Sequence, residues 1–203
     1  MLGFIQHGWE GVDMRIISGQ AKGKRLTTLK GKLTRPTSDR VREAIFSIIF
    51  SKHGSLSGDI VLDLFAGSGA MGLEALSRGA QLAVLVEKSP KAVSVIQQNL
   101  KSCGFSDHAR IIASDAFQAC RTLQGARPFD LIFIDPPYNQ GLAGQALESV
   151  AAFQILAAGG LACVETSDTE LLLSHYDSLA CTDRRYYGST QIHFYSHLGQ
   201  DMS

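Results

Sequence analysis

Several features that mark whole classes of protein are missing from this sequence. No run of about 18 uninterrupted apolar residues occurs among its 203, which argues against a membrane-spanning helix. The N-terminus has no cationic segment leading into an apolar run and a small-residue cleavage site, so a chain without a secretory signal is expected. Four cysteines, Cys103, Cys120, Cys163 and Cys181, stand far apart, with no CxxC pair and no histidine at zinc-finger spacing. They read as reduced cytosolic thiols, and no metal site is expected. Internal repeats and low-complexity tracts are absent.

Net charge is missing as well, being formally zero. The balance hides an asymmetry. Between Met14 and Arg42 lie nine of the 19 basic residues (Arg15, Lys22, Lys24, Arg25, Lys30, Lys32, Arg35, Arg40 and Arg42) against one acid, Asp39, so this segment carries +8 and the remainder −8. A basic arm on an acidic body suits a polyanionic partner, while a charge run of this kind also reads as a solvated extension. What is present, 45% hydrophobic and 19% charged residues, suffices for one globular domain of ordinary size. Residues 1–13 show no period and read as an extra N-terminal tail ahead of a second methionine. Residues 14–36, broken by Gly19, Gly23 and Gly31 and closed by Pro36, read as a basic β-hairpin-like arm, and 37–203 as a single domain.

Ser38 has the chemistry of an N-cap for the helix DRVREAIFSIIF, which sets Val41, Ile45, Ile48 and Ile49 on one face with Arg40, Arg42 and Glu43 largely elsewhere. From residue 60 onward, short apolar runs (IVLDLF, LAVLVE, RIIAS, FDLIFID, GLACVE) alternate with segments of helical length and period. Several runs are apolar throughout, the signature of strands buried on both faces, so the expected fold is α/β, a parallel sheet covered by helices. The tail departs from this alternation. LACTDRRYYG and TQIHFYSH, joined at Gly188-Ser189, predict a closing antiparallel hairpin at one sheet edge.

The first of these strands runs into Gly67-Ser68-Gly69-Ala70-Met71-Gly72, a GxGxxG between strand and helix, where a tight turn and free helix N–H groups can approach a ligand. Glu87 ends the next strand twenty positions beyond Gly67, placed to accept hydrogen bonds from ribose hydroxyls, or to be only a strand-end acid. A nicotinamide dinucleotide is one reading of this fingerprint. Asp63, just before the loop, would however repel a pyrophosphate; it suits a cationic amine, or it is a buried acid satisfied by loop amides. Asp115, after the third strand, suits an adenine amine, or it is the N-cap of a following helix. S-adenosylmethionine has that ammonium, adenine and ribose and no phosphate. Asp135-Pro136-Pro137-Tyr138 then ends the fourth strand at the ligand-binding edge of such sheets. An exocyclic base amine is a poor nucleophile, and methylating it calls for acceptors that hold its N–H groups. The Asp135 carboxylate and the rigid Pro136 carbonyl can supply them, and Tyr138 can stack on a flipped base.

In the order TRPTSDRVREAIF, VLDLFAGSGAMGLEALSRGA, VEKSP, SDAF, FDLIFIDPPY and RRYYGSTQIHFY, the chain resembles the bacterial 16S rRNA guanine-N2 methyltransferases of the RsmD type from Met14 to about Tyr195. The resemblance implies a Rossmann-like class I methyltransferase with a mostly parallel seven-stranded sheet, S-adenosylmethionine as donor, and a guanine of small-subunit rRNA, naked or in its ribonucleoprotein particle, as acceptor. It carries over to Asp63, Phe65, Gly67, Gly69, Glu87 and Asp115 as cofactor positions and to Asp135, Pro136, Pro137 and Tyr138 as the target-amine site. Thr37 and Arg40 match the segment near the methionine end or the RNA. In the arm, Arg15, Lys22, Lys24, Arg25 and Arg35 are the expected RNA contacts. A cytoplasmic monomer is expected. The competing readings are a DNA adenine-N6 methyltransferase, a nicotinamide-dependent oxidoreductase and a noncatalytic RNA-binding module.

Overall fold

The computed structural model describes residues 14–28 and 39–198. Residues 1–13, the Ser38 cap, Thr37, Arg35 and the Lys30–Pro36 part of the arm lie outside the described residues. A short antiparallel ladder, β1 (Met14–Arg15) with β2 (Arg25–Leu26), precedes helix α1 (Asp39–His53). The alternating part follows as β3 (Ile60–Asp63), α2 (Ala70–Ser77), β4 (Leu82–Val86), α3 (Pro90–Cys103), β5 (Ala109–Ile112), α4 (Ala116–Leu123), β6 (Phe129–Ile134), α5 (Leu142–Ala152) and β7 (Leu156–Ser167). A two-residue β8 (His175–Tyr176) and the long hairpin β9 (Leu179–Tyr187) and β10 (Thr190–His197) complete it.

The main sheet runs β5-β4-β3-β6-β7-β10-β9-β8. Strands β3 to β7 are mutually parallel, and β10, β9 and β8 add in antiparallel fashion. Among the described residues the sheet therefore has eight strands where seven were expected. The additional β8 forms because the buried Tyr176 ring packs edge-on against Tyr195, at 5.7 Å between centroids, and draws its two-residue segment onto the edge of β9. Two residues are too few to show a strand period.

Each strand feeds both faces. Val61, Leu85, Leu131, Phe133 and Cys163 point toward α1, α2 and α3, while Leu62, Val84, Ile132, Ile134 and Val164 point toward α4 and α5. That two-sided burial is why these strands read as unbroken apolar runs. On α1 the inner stripe is Arg42, Ile45, Phe46 and Ile49, a helical i, i+3, i+4, i+7 set, and Phe46 meets Phe133 at 5.6 Å. This corrects the expected outward Arg42, which is only 1% exposed. One Nη bonds Asp39 Oδ1 at 2.9 Å and the Arg15 carbonyl, so a residue three positions back and the first ladder together accept an arginine into the core stripe.

The segment 14–28 is docked along the body. Ile17 and Ser18 donate their amides to the buried Glu74 carboxylate at 2.8 and 3.0 Å, Ala21 donates to Ser77 Oγ at 3.0 Å, and Gln20 to the Ser77 carbonyl at 2.8 Å. Glu74 and Ser77 are buried polar residues of α2 because the ladder covers them.

Candidate active site

The sheet order reverses between β3 and β6: β4 lies on one side of β3 and β6 on the other. Loops leaving the carboxyl ends of these strands therefore diverge and open a crevice, the position where open α/β sheets bind ligands. The loop after β3 is Leu64–Gly69. Its Leu64 and Ala66 amides bond across to the Phe133 and Val86 carbonyls at 3.0 Å each, so the loop is held by the strands on either side. Gly69 sits at φ +81°, where any side chain would be strained. A Cβ at Gly72 would come within 2.3 Å of Leu85, so the last glycine of GxGxxG lets α2 lie close on β4.

Glu87 closes the crevice from the end of β4. Its two oxygens accept the Gly67 amide at 3.0 Å and the Ser89 amide at 2.7 Å, which fixes the carboxylate against the glycine loop. Asp63 lies beneath, 2% exposed, with Oδ2 accepting the Gly72 amide at 3.3 Å. Burial raises its pKa to about 7, with the Gly72 and Phe65 amides pulling it down and Glu87 adding to the rise. The loop-amide reading of Asp63 is thus present in the structure. Asp115 is exposed and caps α4, Oδ1 accepting the Phe117 amide at 2.9 Å. Phe65 is half-buried against the cluster beneath α4 and α5. Arg40 is exposed in the first turn of α1, a turn held near the loop through a chain of contacts: Ser68 Oγ reaches Met14 Sδ at 3.6 Å, and Arg15 pairs with Asp39 at 3.1 Å.

Asp135 follows β6 directly. The parallel register pairs Ile134 with Val164, which brings Asp135 level with Glu165 on β7. Burial pushes the Asp135 pKa well above the usual carboxylate range, and Glu165 and Asp63 push it further. Pro136 is buried and Pro137 half-buried. Tyr138 then turns its hydroxyl onto Glu165 Oε1 at 2.5 Å, with Thr190 Oγ1 at 3.4 Å, and burial together with Glu165 raises its pKa. Asn139, at φ +58°, ends the turn. It donates its amide to Glu170 Oε2 at 3.1 Å, and its side-chain oxygen accepts the hydroxyls of Ser167 and Thr169 at 2.8 and 3.3 Å.

The sequence reading missed three of these residues. Glu165 had a signal, an acid ending the buried run GLACVE at the same sheet edge as Asp135. Asn139 and Asn99 had little. Asn99, buried on α3, bonds the Ser68 carbonyl at 2.9 Å and both backbone polar groups of Thr27, so it ties the glycine loop to the N-terminal ladder. The expected RNA contacts do not stay together. Arg15 lies beside the glycine loop, but Lys22 and Lys24 sit at the turn docked on Ser77. That is the far end of α2, about 12 Å from the loop at 1.5 Å per residue. Arg25 is exposed on β2.

Asp63, Glu87, Asp135 and Glu165 line the crevice as a row of carboxylates across four neighbouring strand ends, and among the described residues no group of three acids, histidines or cysteines could hold a metal. A glycine loop and a strand-end acid on one side of a switch point, and Asp-Pro-Pro-Tyr on the other, define a class I methyltransferase. The chain belongs to the family described as Conserved hypothetical protein 95, which matches residues 14–196, and to which its small-subunit rRNA methyltransferase D relatives tie it. It is 35% identical to YlbH of Bacillus subtilis over 187 residues, 92% of this chain and 100% of that protein. It is 35% identical to ribosomal RNA small subunit methyltransferase D of Escherichia coli K12 over 154 residues, 76% of this chain and 75% of that one. The solved YhhF protein of Escherichia coli superposes with a TM-score of 0.76 at 30% identity, covering 91% of this chain and 98% of that one.

Proposed function

We propose that this protein transfers a methyl group from S-adenosylmethionine to the exocyclic N2 of a guanine in small-subunit rRNA. The observation that carries the reading is the row of carboxylates across the switch point. Such a row favours a ligand with a cationic centre and sugar hydroxyls and disfavours a pyrophosphate, since a cation favours the ionised forms of Asp63 and Asp135 that burial and their neighbours oppose, whereas a further anion opposes them more. The residues present fit the donor: Glu87 for the ribose, Asp63 and the loop of Gly67 and Gly69 with Phe65 for the amino-acid end, Asp115 for the adenine, and Arg40 near the loop, while Thr37, assigned with Arg40 by the resemblance, lies outside the described residues. When bound, S-adenosylmethionine supplies an electrophilic methyl carbon on a sulfonium.

The chain's own residues do the positioning. Asp135 and the Pro136 carbonyl accept the two N–H bonds of the target amine and turn its lone pair toward the methyl carbon. Pro136 and Pro137 hold that carbonyl rigid. The Tyr138 ring, fixed by Glu165, offers its face to the flipped base. After transfer the extra proton leaves the nitrogen for Asp135 or water, so no strong base is needed.

The substrate RNA would be 16S rRNA or the small-subunit particle, acted on by a cytoplasmic monomer. Among the described residues no helix is long and apolar enough to cross a membrane. The deciding experiment supplies S-adenosylmethionine with small-subunit rRNA, the assembled particle or duplex DNA and maps the methylated nucleoside. N2-methylguanine in rRNA is the expected product, and N6-methyladenine in DNA would overturn the reading.

A further inference from the structure

Asn99 is a buried amide, 1% exposed, at the point where α3, the N-terminal arm and the glycine loop meet. Its side chain bonds backbone far away in sequence. Oδ1 accepts the Thr27 amide at 2.8 Å, and Nδ2 donates to the Thr27 carbonyl and to the Ser68 carbonyl at 2.9 Å each. A peptide N–H only donates and a peptide carbonyl only accepts, so these partners fix which way the Asn99 amide faces. Turned over, it would set donor against donor and oxygen against two oxygens.

The Ser68 carbonyl belongs to the peptide just ahead of Gly69, which sits at φ +81°. A glycine there leaves that peptide free to turn over, exchanging donor for acceptor along the loop beside the crevice. Its N–H is held within the loop by the Ala66 carbonyl at 2.6 Å, and its C=O is held across the fold by Asn99. Glu87 holds the Gly67 amide at 3.0 Å from the end of β4, so the loop is clamped from the elements on either side. The arm has little order of its own. Its ladder consists of two residue pairs, Met14 with Leu26 and Arg15 with Arg25, and so short a two-stranded ribbon is not stable alone in water. Glu74, Ser77 and Asn99 hold it on the body, and of these three side chains Asn99 is the one that also bonds the glycine loop. Met14 Sδ, 3.6 Å from Ser68 Oγ, adds a weaker contact, since a thioether is a poor acceptor.

We propose that Asn99 is a positioning residue for S-adenosylmethionine binding, which makes the docked arm and the ligand-ready glycine loop one cooperative unit. Docking of residues 14–28 then strengthens cofactor binding, and bound cofactor secures the arm by the same factor, because such coupling is reciprocal. The proposal rests on the assignment of the glycine loop to the cofactor.

Two measurements on the full chain test it: affinity for S-adenosylmethionine, and amide hydrogen exchange of the arm with and without that ligand. Asn99→Ala should weaken cofactor binding roughly tenfold, because the Ser68 carbonyl loses its donor and the arm its link to the loop. Ser77→Ala frees the Ala21 amide at the far end of α2, away from the loop, and should still weaken cofactor binding about threefold while adding nothing in the Asn99→Ala background. In the wild type, bound cofactor should slow exchange of the Ile17, Ser18 and Thr27 amides; in Asn99→Ala it should leave Ile17 and Ser18 unchanged. An asparagine that serves stability alone would lower the unfolding temperature when replaced and shift neither the affinity nor the exchange response. Wild-type cofactor affinity in a folded Asn99→Ala overturns the proposal. Should that variant not fold, the wild type still decides, because cofactor that leaves exchange of the arm unchanged overturns it as well. Failure of the loop's assignment is a different result, a Glu87→Ala protein that binds S-adenosylmethionine as the wild type does.

Discussion

The Tyr138 hydroxyl donates to Glu165 Oε1 at 2.5 Å, joining the turn after β6 to the end of β7. The ring that would face a flipped base is therefore set before any substrate arrives, which removes part of the ordering cost of binding. The same contact makes Tyr138 part of the fold, because Glu165 is only 6% exposed and relies on donors that reach it there.

Tyr138→Phe is expected to lower stability by about 1–3 kcal/mol, the cost of withdrawing a donor from a buried acceptor, while leaving a large part of the activity. Tyr138→Ala should lose both the anchor and the ring and be far more damaging to turnover. Thermal unfolding alongside steady-state kinetics checks this. An unchanged unfolding curve for Tyr138→Phe would mean that the Glu165 contact contributes nothing.

Asp135→Ala should retain cofactor binding and lower the methyl-transfer rate by roughly 10²–10³, the usual cost of one preorganised polar contact. Near-normal turnover on rRNA would refute the amine-orienting role.

Asp63 titrates from the folded state near pH 7, above the ordinary aspartate value of 3.8. The folded state binds the proton more tightly than the unfolded chain does, so this residue's contribution falls as pH rises from about 4 to about 7. Asp63→Asn should flatten the pH dependence of unfolding in that window. Binding of a cationic ligand beside Asp63 should also release a proton near pH 6. Calorimetry in buffers of different ionisation enthalpy measures that proton, and its persistence in Asp63→Asn would assign it to another group.

S-adenosylmethionine should stabilise the protein and NAD should not, by about 2.7 kcal/mol at a hundredfold excess over Kd. Glu87→Ala should reduce the effect, because it removes the ribose acceptor and also frees the Gly67 amide that Glu87 holds at 3.0 Å. Equal stabilisation of both proteins would remove Glu87 from the cofactor site.

Lys22 and Lys24, changed together to Ala, should weaken binding of a long rRNA and lower its salt slope by about 0.7 per lost phosphate contact. A short fragment that cannot span the length of α2 should be methylated as before. An unchanged slope on long RNA would make the turn a solvated extension.

Local pattern in the sequence determined much of this protein. The apolar runs announced strands buried on both faces, and the glycine loop and Asp-Pro-Pro-Tyr announced which strand ends carry chemistry. The break in alternation after residue 178 announced the closing hairpin. These features are legible because backbone period, turn chemistry and burial act over a few neighbouring residues. Only the tertiary structure decided that Glu165 stands level with Asp135 and receives Tyr138, since that contact depends on the order and register of strands 27 residues apart. It likewise decided that Arg42 enters the core, where Asp39 and the Arg15 carbonyl meet it. It split the basic arm between the two ends of α2, because residues 17–21 dock along that helix and carry Lys22 and Lys24 to its far end. Charge and residue type are properties of one position, but a partner is a property of two, and long-range pairing alone chooses the second.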